Sequence, residues 1–167
     1  MKIKQVVVLA GKDHIHCSIS SGLEQLGLQM CECFSPQDHK EDCLLVCDQD
    51  YADTSNGSAL IRQAMERGCA VLLHNSNCPS VLEEIRSTGD LSQKTRDMLE
   101  ARVLYRCLQK DIQRLASLQP EADGLPNYVA SAYEKVQDLR YGENWHQRAA
   151  LYTNDQGLGL PAARKLN

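Results

Sequence analysis

The sequence predicts an α/β domain of three layers, a mostly parallel sheet with helices on its faces, followed by a long helix and a short β extension. Three observations predict it. Over the first 90 residues, short apolar runs alternate with stretches whose apolar residues recur three and four apart, the pattern of strands joined by amphipathic crossover helices. From Ser92 to Leu118 one stripe of Leu99, Val103, Leu104, Leu108, Ile112, Leu115 and Leu118 keeps helical spacing. Beyond Pro120–Asn127, a linker holding two prolines and a glycine, come Tyr128–Ala132 and two further strand-like runs.

Each element follows from its local pattern. Gln5–Ala10 reads as a first buried strand. Its apolar run, Val6–Ala10, is shorter than the roughly 7–15 residues of a signal-peptide core, and Lys12 and Asp13 soon follow it. Cys17–Leu28 carries Ile19, Leu23 and Leu26 at helical spacing. Gln29–Phe34 and Asp42–Cys47 are strands. Ser58–Arg67 sets Leu60, Ile61, Ala64 and Met65 on one helical face and ends at Gly68, a C-cap. Cys69–His74 is the next buried strand, and a helix from Pro79 through Ile85 closes at Gly89. Ser92 and Thr95 are capping residues for the long helix. Strands follow around Tyr133–Arg140 and Ala149–Tyr152. The tail from Asn154 to Asn167 has two glycines, a proline and no period, and is expected to be loosely ordered. The expected organisation is a domain over 1–118, a linker over 119–132 and a junction segment over 133–167.

Composition excludes several classes. A hydrophobic share of 43% with 24% charged residues is that of a globular chain, not of a disordered one. The net charge of -4 argues against a nucleic-acid partner bound through bulk positive charge. No apolar run approaches the ~20 residues of a membrane span, so no membrane partner and a cytoplasmic location are expected. Eight cysteines without a secretory signal are expected to be reduced thiols. Cys31-x-Cys33 and Cys43-x3-Cys47, with His39 between, have the residue types of a zinc site. Their period of two in candidate strands fits a packed sheet face better. No metal or cofactor is expected. Asp13, His14, His16 and Cys17 follow the first strand, where open α/β sheets place ligand loops, and a plain polar loop is the alternative. Gln109–Arg114 reads as a solvated helix face.

The most specific segment is Leu139-Arg140-Tyr141-Gly142-Glu143-Asn144-Trp145-His146-Gln147. It resembles the junction motif L-R-Y-G-E-N-P-H-Q of the bifunctional AICAR transformylase/IMP cyclohydrolase family. Eight of the nine positions match, with Trp145 in place of proline. Leu91-Ser92-Gln93-Lys94-Thr95-Arg96, with Leu99 and Asp111, is similar to the family's L-S-x-x-T-R helix. Gly57, Leu60-Ile61-Arg62 and Ala64 resemble the helix after its D-I-G-G-P loop. Tyr133–Asp138 resembles the strand leading into the junction, and Leu160–Asn167 the first residues of the transformylase half.

The resemblance implies a methylglyoxal-synthase-like α/β fold and a place in purine (IMP) biosynthesis. In that family one half closes a formylated imidazole carboxamide ribotide into IMP, and the other transfers a formyl group to AICAR. The expected ligand is thus an imidazole or purine ribotide. Arg140, Tyr141, Gly142 and Asn144 stand at the motif's substrate positions, and Arg62, on the helix after the glycine loop, faces a phosphate or solvent. Asp53 is the candidate catalytic carboxylate. Trp145 and His146 either stack on a purine-like ring or anchor a small core.

Departures from the family pattern cut against full catalysis. Where the family has S-D-K-T-G this chain has Gly11-Lys12-Asp13-His14-Ile15, and the S-T-G-G-T loop has no counterpart between Cys33 and Asp42. Losing backbone amides aimed at a phosphate removes the main source of ribotide affinity, so IMP is expected to bind no tighter than millimolar. Glu66 falls where the family's helix carries a lysine, which reverses the sign of any stabilisation of developing negative charge. The transformylase half, with its Lys-His pair, is not in these residues, so formyl transfer by the chain alone is not expected. Two functions stay open: a ribotide-binding family member, or a non-catalytic paralogue that interacts with or regulates a full-length family enzyme. A homodimer is the other expected assembly.

Overall fold

The computed structural model describes residues 2–9, 19–31, 33–35, 37–73, 78–119, 125–140 and 146–154. Contacts divide the chain into two units, Met1–Cys107 and Leu108–Asn167.

Among the described residues the first unit has four strands: β1 (Gln5–Leu9), β2 (Gln29–Cys31), β3 (Cys43–Cys47) and β4 (Ala70–Leu73). They lie in the order β2-β1-β3-β4, and every pairing is parallel. The helices are α1 (Ile19–Glu24), α2 (Gln49–Ala52), α3 (Ser55–Glu66), α4 (Cys78–Thr88) and the start of α5 (Gln93–Ser117). Successive strand residues point to opposite faces, and here both faces are covered. Val6, Leu44, Val46, Ala70 and Leu72 pack with Leu23 of α1 and Val81, Leu82 and Ile85 of α4. Val7, Leu45, Cys47, Val71 and Leu73 pack with Ile61 and Ala64 of α3. Burial on both sides explains why these strands read as continuous apolar runs rather than alternating ones. The three-layer α/β architecture expected from the sequence is the one observed.

Helix ends follow local chemistry. Thr54 caps α3 by accepting from the Gly57 amide at 2.9 Å. At the other end Gly68 adopts φ +77°, and the amides of Gly68 and Cys69 donate to the carbonyls of Met65 and Ala64 at 2.8 and 3.0 Å. This paired closure needs the left-handed backbone that glycine takes without penalty. Ser92 caps α5 through the Thr95 amide at 3.3 Å. A contribution from α4 joins it: Glu84 accepts from the Ser92 amide at 2.8 Å and from the Thr95 hydroxyl at 2.6 Å.

Along α5, Leu99 enters the first core, and Val103 and Cys107 enter the second. The apolar stripe expected to run to Leu118 is only partly covered. Leu104, Leu108 and Leu118 are exposed, while Ile112 and Leu115 are half-buried.

The second unit contains the end of α5 and an antiparallel pair, β5 (Glu134–Leu139) and β6 (Ala149–Thr153), with an irregularity between Lys135 and Gln137. The Gln119 side chain brackets the Tyr128 backbone, donating to its carbonyl at 2.9 Å and accepting from its amide at 3.1 Å. Every residue of β5 is exposed. Among the described residues no helix is long and apolar enough to cross a membrane.

Candidate functional site

In an open parallel sheet the chain leaves in opposite directions from two neighbouring strands, and the crevice outside their carboxyl ends receives ligands. With the order β2-β1-β3-β4 that switch point lies between β1 and β3. Residues 10–18 after β1, and with them Asp13, His14, His16 and Cys17, lie outside the described residues. The segment after β3 is described, and it forms a tight corner.

Asp48, buried directly after β3, accepts from the Tyr51 amide at 2.6 Å and so starts α2. Three residues later the Thr54 hydroxyl donates to the Tyr51 carbonyl at 2.8 Å while accepting from Gly57. A Cβ on Gly57 would stand 2.0 Å from the Tyr51 carbonyl oxygen, so only glycine fits where α3 crosses α2. Asp53, between the two helices, receives both forks of Arg106 from α5: Nε to Oδ1 at 3.2 Å and Nη2 to Oδ2 at 2.8 Å. The two side chains are 24% and 30% exposed. A bidentate pair of this kind holds direction as well as charge. Asp53 is thereby tied to α5, and the Arg106 guanidinium is engaged with a carboxylate.

The other predicted site residues are divided between the two units. Arg62 is half-buried on α3, and Glu66 is exposed at that helix's end. Arg140 is exposed after β5, in the second unit, and His146 is exposed in a turn before β6. Tyr141, Gly142, Asn144 and Trp145 lie outside the described residues. Arg106 and Asp48 escaped sequence reasoning. Asp48 carried a usable signal, a carboxylate at the end of an apolar strand. Arg106 carried none, because its partner stands 53 positions away.

The cysteine pattern resolves onto the sheet. Cys43, Cys47, Cys69 and Cys107 are buried in the core beneath α3, with Cys31 packed against it. The Cys47 thiol is pushed up to about 12, first by burial and then by the Asp48 charge and Cys107, so it stays protonated at neutral pH. His39 is buried, with Nδ1 at 3.0 Å from both the amide and the carbonyl of Ser35 and its ring stacked on Phe34. Among the described residues no three His, Cys, Asp or Glu side chains are grouped to hold a metal ion.

The sequence model described as "AICARFT/IMPCHase bienzyme" matches residues 66–167. A bifunctional purine biosynthesis protein PurH from Thermoanaerobacter sp. (strain X514) is 35% identical over 115 residues, 66% of this chain and 23% of that protein. The PurH of Acidithiobacillus ferrooxidans is 33% identical over 133 residues, 75% of this chain and 25% of that protein. That of Acetivibrio thermocellus is 36% identical over 100 residues, 58% of this chain and 20% of that protein. The matched stretches span about a quarter or less of the length of these curated relatives.

Proposed function

Because this chain belongs to the AICARFT/IMPCHase bienzyme family, we propose that it binds an imidazole or purine ribotide of purine biosynthesis and does not itself close the ring. The observation that carries the reading is the run Leu139–Gln147. It repeats the family's junction motif at eight of nine positions and lies inside the matched stretch. Arg140 supplies a fixed positive charge, and Tyr141, Gly142 and Asn144 supply aromatic surface, backbone access and an amide for the heterocycle. Arg62 is the cation proposed for the phosphate.

Two positions oppose ring closure. Asp53, the candidate catalytic carboxylate, has both oxygens engaged by the two forks of Arg106, which aims them at a side chain of α5 and not at a substrate. Glu66 brings negative charge where the family's helix has a cation, so an oxyanion forming nearby would be repelled. Action in the cytoplasm accompanies this reading.

Calorimetric titration of the purified chain with AICAR, formyl-AICAR ribotide and IMP tests it. Saturable binding of a ribotide, weakened at least tenfold by Arg140→Ala, is the expected result, with IMP no tighter than millimolar. Tight stoichiometric IMP binding would overturn the phosphate-loop argument, and ring closure in the same solution would overturn the second half of the proposal.

A second reading, an interaction or regulatory protein for a full-length family enzyme, draws on a different observation. Leu108, Val129, Tyr133, Val136 and Tyr152 of the second unit are all at least 48% exposed, an unusual amount of large apolar surface for so short a stretch. Co-purification of the chain with a purified bifunctional family enzyme, in the absence of any ribotide response, would favour it. A homodimer would appear in the same experiment as self-association without the enzyme.

A further inference from the structure

A second cleft of the first unit lies at the opposite end of the sheet, beside the amino ends of β3 and β4. It holds about 470 Å³ and is lined in part by Glu41, Gly68, Cys69, Asp90, Arg96 and Glu100. Arg96 is committed there, to Asp90 Oδ1 at 3.0 Å and to the carbonyls of Glu41 and Leu91 at 3.3 and 3.4 Å. The cleft is therefore poorly suited to an anion. Its chemistry rests instead on two sulfurs.

Cys69 is 5% exposed, lines this cleft, and places Sγ 3.1 Å from the Lys40 carbonyl. Its second neighbour is the Cys43 thiol, in the same buried cluster. The register explains the meeting. Leu44 of β3 and Ala70 of β4 are partners, so Cys43, which opens β3, and Cys69, which directly precedes β4, stand one step earlier, and both belong to the core beneath α3. Adjacent strands run about 4.8 Å apart, inside the roughly 4.4–6.8 Å between α-carbons that a disulfide accepts. Only Cys69 borders the cleft, and Cys43 is fully buried behind it.

The two thiols are also unequal. The neighbouring Cys43 thiol holds the Cys69 sulfur below the ordinary thiol range, helped by its own backbone amide and the Arg96 charge, against burial and Asp42. The Cys69 sulfur, then burial, pushes Cys43 upward. Cys69 is the more acidic of the two and borders the cleft, and Cys43 lies beside it.

We propose that Cys69 is an oxidation site, which hydrogen peroxide converts to a sulfenic acid and on which Cys43 then closes as a disulfide. In the first step the Cys69 thiolate attacks a peroxide oxygen and the O–O bond breaks. The sulfur is oxidised by two electrons, and the departing hydroxide leaves as water with the thiol's proton. In the second step the Cys43 sulfur attacks Cys69, the S–O bond breaks, and the hydroxyl leaves with the Cys43 proton as a second water. Two thiols and one peroxide become one disulfide and two waters. The bridge would pin the start of β3 to the turn between α3 and β4.

The test uses the full chain in its folded state, exposed to one equivalent of hydrogen peroxide, then alkylated in denaturant, digested and mapped by mass. The expected product joins the Cys43 and Cys69 peptides with loss of two hydrogens, while Cys47, Cys78 and Cys107 remain alkylated. In Cys43→Ala the Cys69 sulfenic acid is expected to accumulate and be captured by dimedone. Oxidation confined to the exposed Cys33, or a bridge between any other pair, including Cys31 with Cys43, would overturn the proposal. The map of the unaltered chain decides this even where the alanine variant fails to fold.

Discussion

In the first unit every residue of β3 and β4 is buried, whereas in the second every residue of β5 is exposed. The family model covers the whole second unit and the first from Glu66 on, and relatives matched over up to 75% of the chain reach further into the first. A packed sheet accepts any apolar residues of suitable volume and period, so its sequence is free to drift while its fold persists. The exposed segment has no such latitude if its residues serve recognition, because packing does not dictate them. Packing inside its own unit thus dictates β3 and β4, and does not dictate the exposed residues of β5.

The largest effect expected on this contrast comes from paired truncations. Leu44→Ala, in the covered middle strand, should cost about 2–5 kcal/mol, and Val136→Ala, on exposed β5, less than about 0.5 kcal/mol. Equal losses in urea denaturation would mean that β5 is covered in solution, and would break the contrast. Next is Gly57→Ala, expected to cost up to about 3 kcal/mol because its Cβ meets the Tyr51 carbonyl. Gly27→Ala is the control. It has positive φ and open space, so about 1 kcal/mol is expected.

A smaller effect tests the switch-point corner. If the Asp53–Arg106 pair is structural, Asp53→Asn and Arg106→Gln should each lower stability, with a coupling of about 1 kcal/mol in a double-mutant cycle. The value is held down by their partial exposure. Unchanged stability with altered ribotide affinity would instead assign the pair to ligand binding.

The smallest effect is pH-dependent. The Thr95 hydroxyl, then the Ser92 amide, hold Glu84 below its ordinary 4.5. A depressed folded-state value means that its contribution is present above 4.5 and is lost as the pH falls through the lower, folded value. Glu84→Gln should therefore be less stable than the unaltered chain at neutral pH, by less than about 1 kcal/mol on the scale of a helix cap. The gap should close on acidification. A gap that persists in acid melts would show that geometry, and not charge, carries the contact.

Most elements were legible because each is announced by its own neighbours. The expected strands over Gln5–Ala10, Asp42–Cys47 and Cys69–His74 correspond to β1, β3 and β4. Strands β3 and β4 begin one residue later than expected, at Cys43 and Ala70, while Ala10 and His74 lie outside the described residues. Gly68 closes α3 as its position predicts. Helix α2 was missed because four residues offer no period to read. The corner it forms was missed with it, since Gly57 is required there by the approach of the Tyr51 carbonyl. The stripe of α5 was legible as a pattern, but the pattern does not say where its cover ends.

The sequence by itself determined the alternation of strands and helices, the apolar faces and the family motif at Leu139–Gln147. Periodicity and side-chain chemistry act within a few residues of chain, and a linear reading captures them. Only the tertiary structure decided that Arg106 reaches Asp53, that Glu84 helps cap a helix not its own, and that Cys69 meets Cys43. Those choices depend on which distant segments the packed sheet brings within hydrogen-bond range. Local spacing carries no record of that distance.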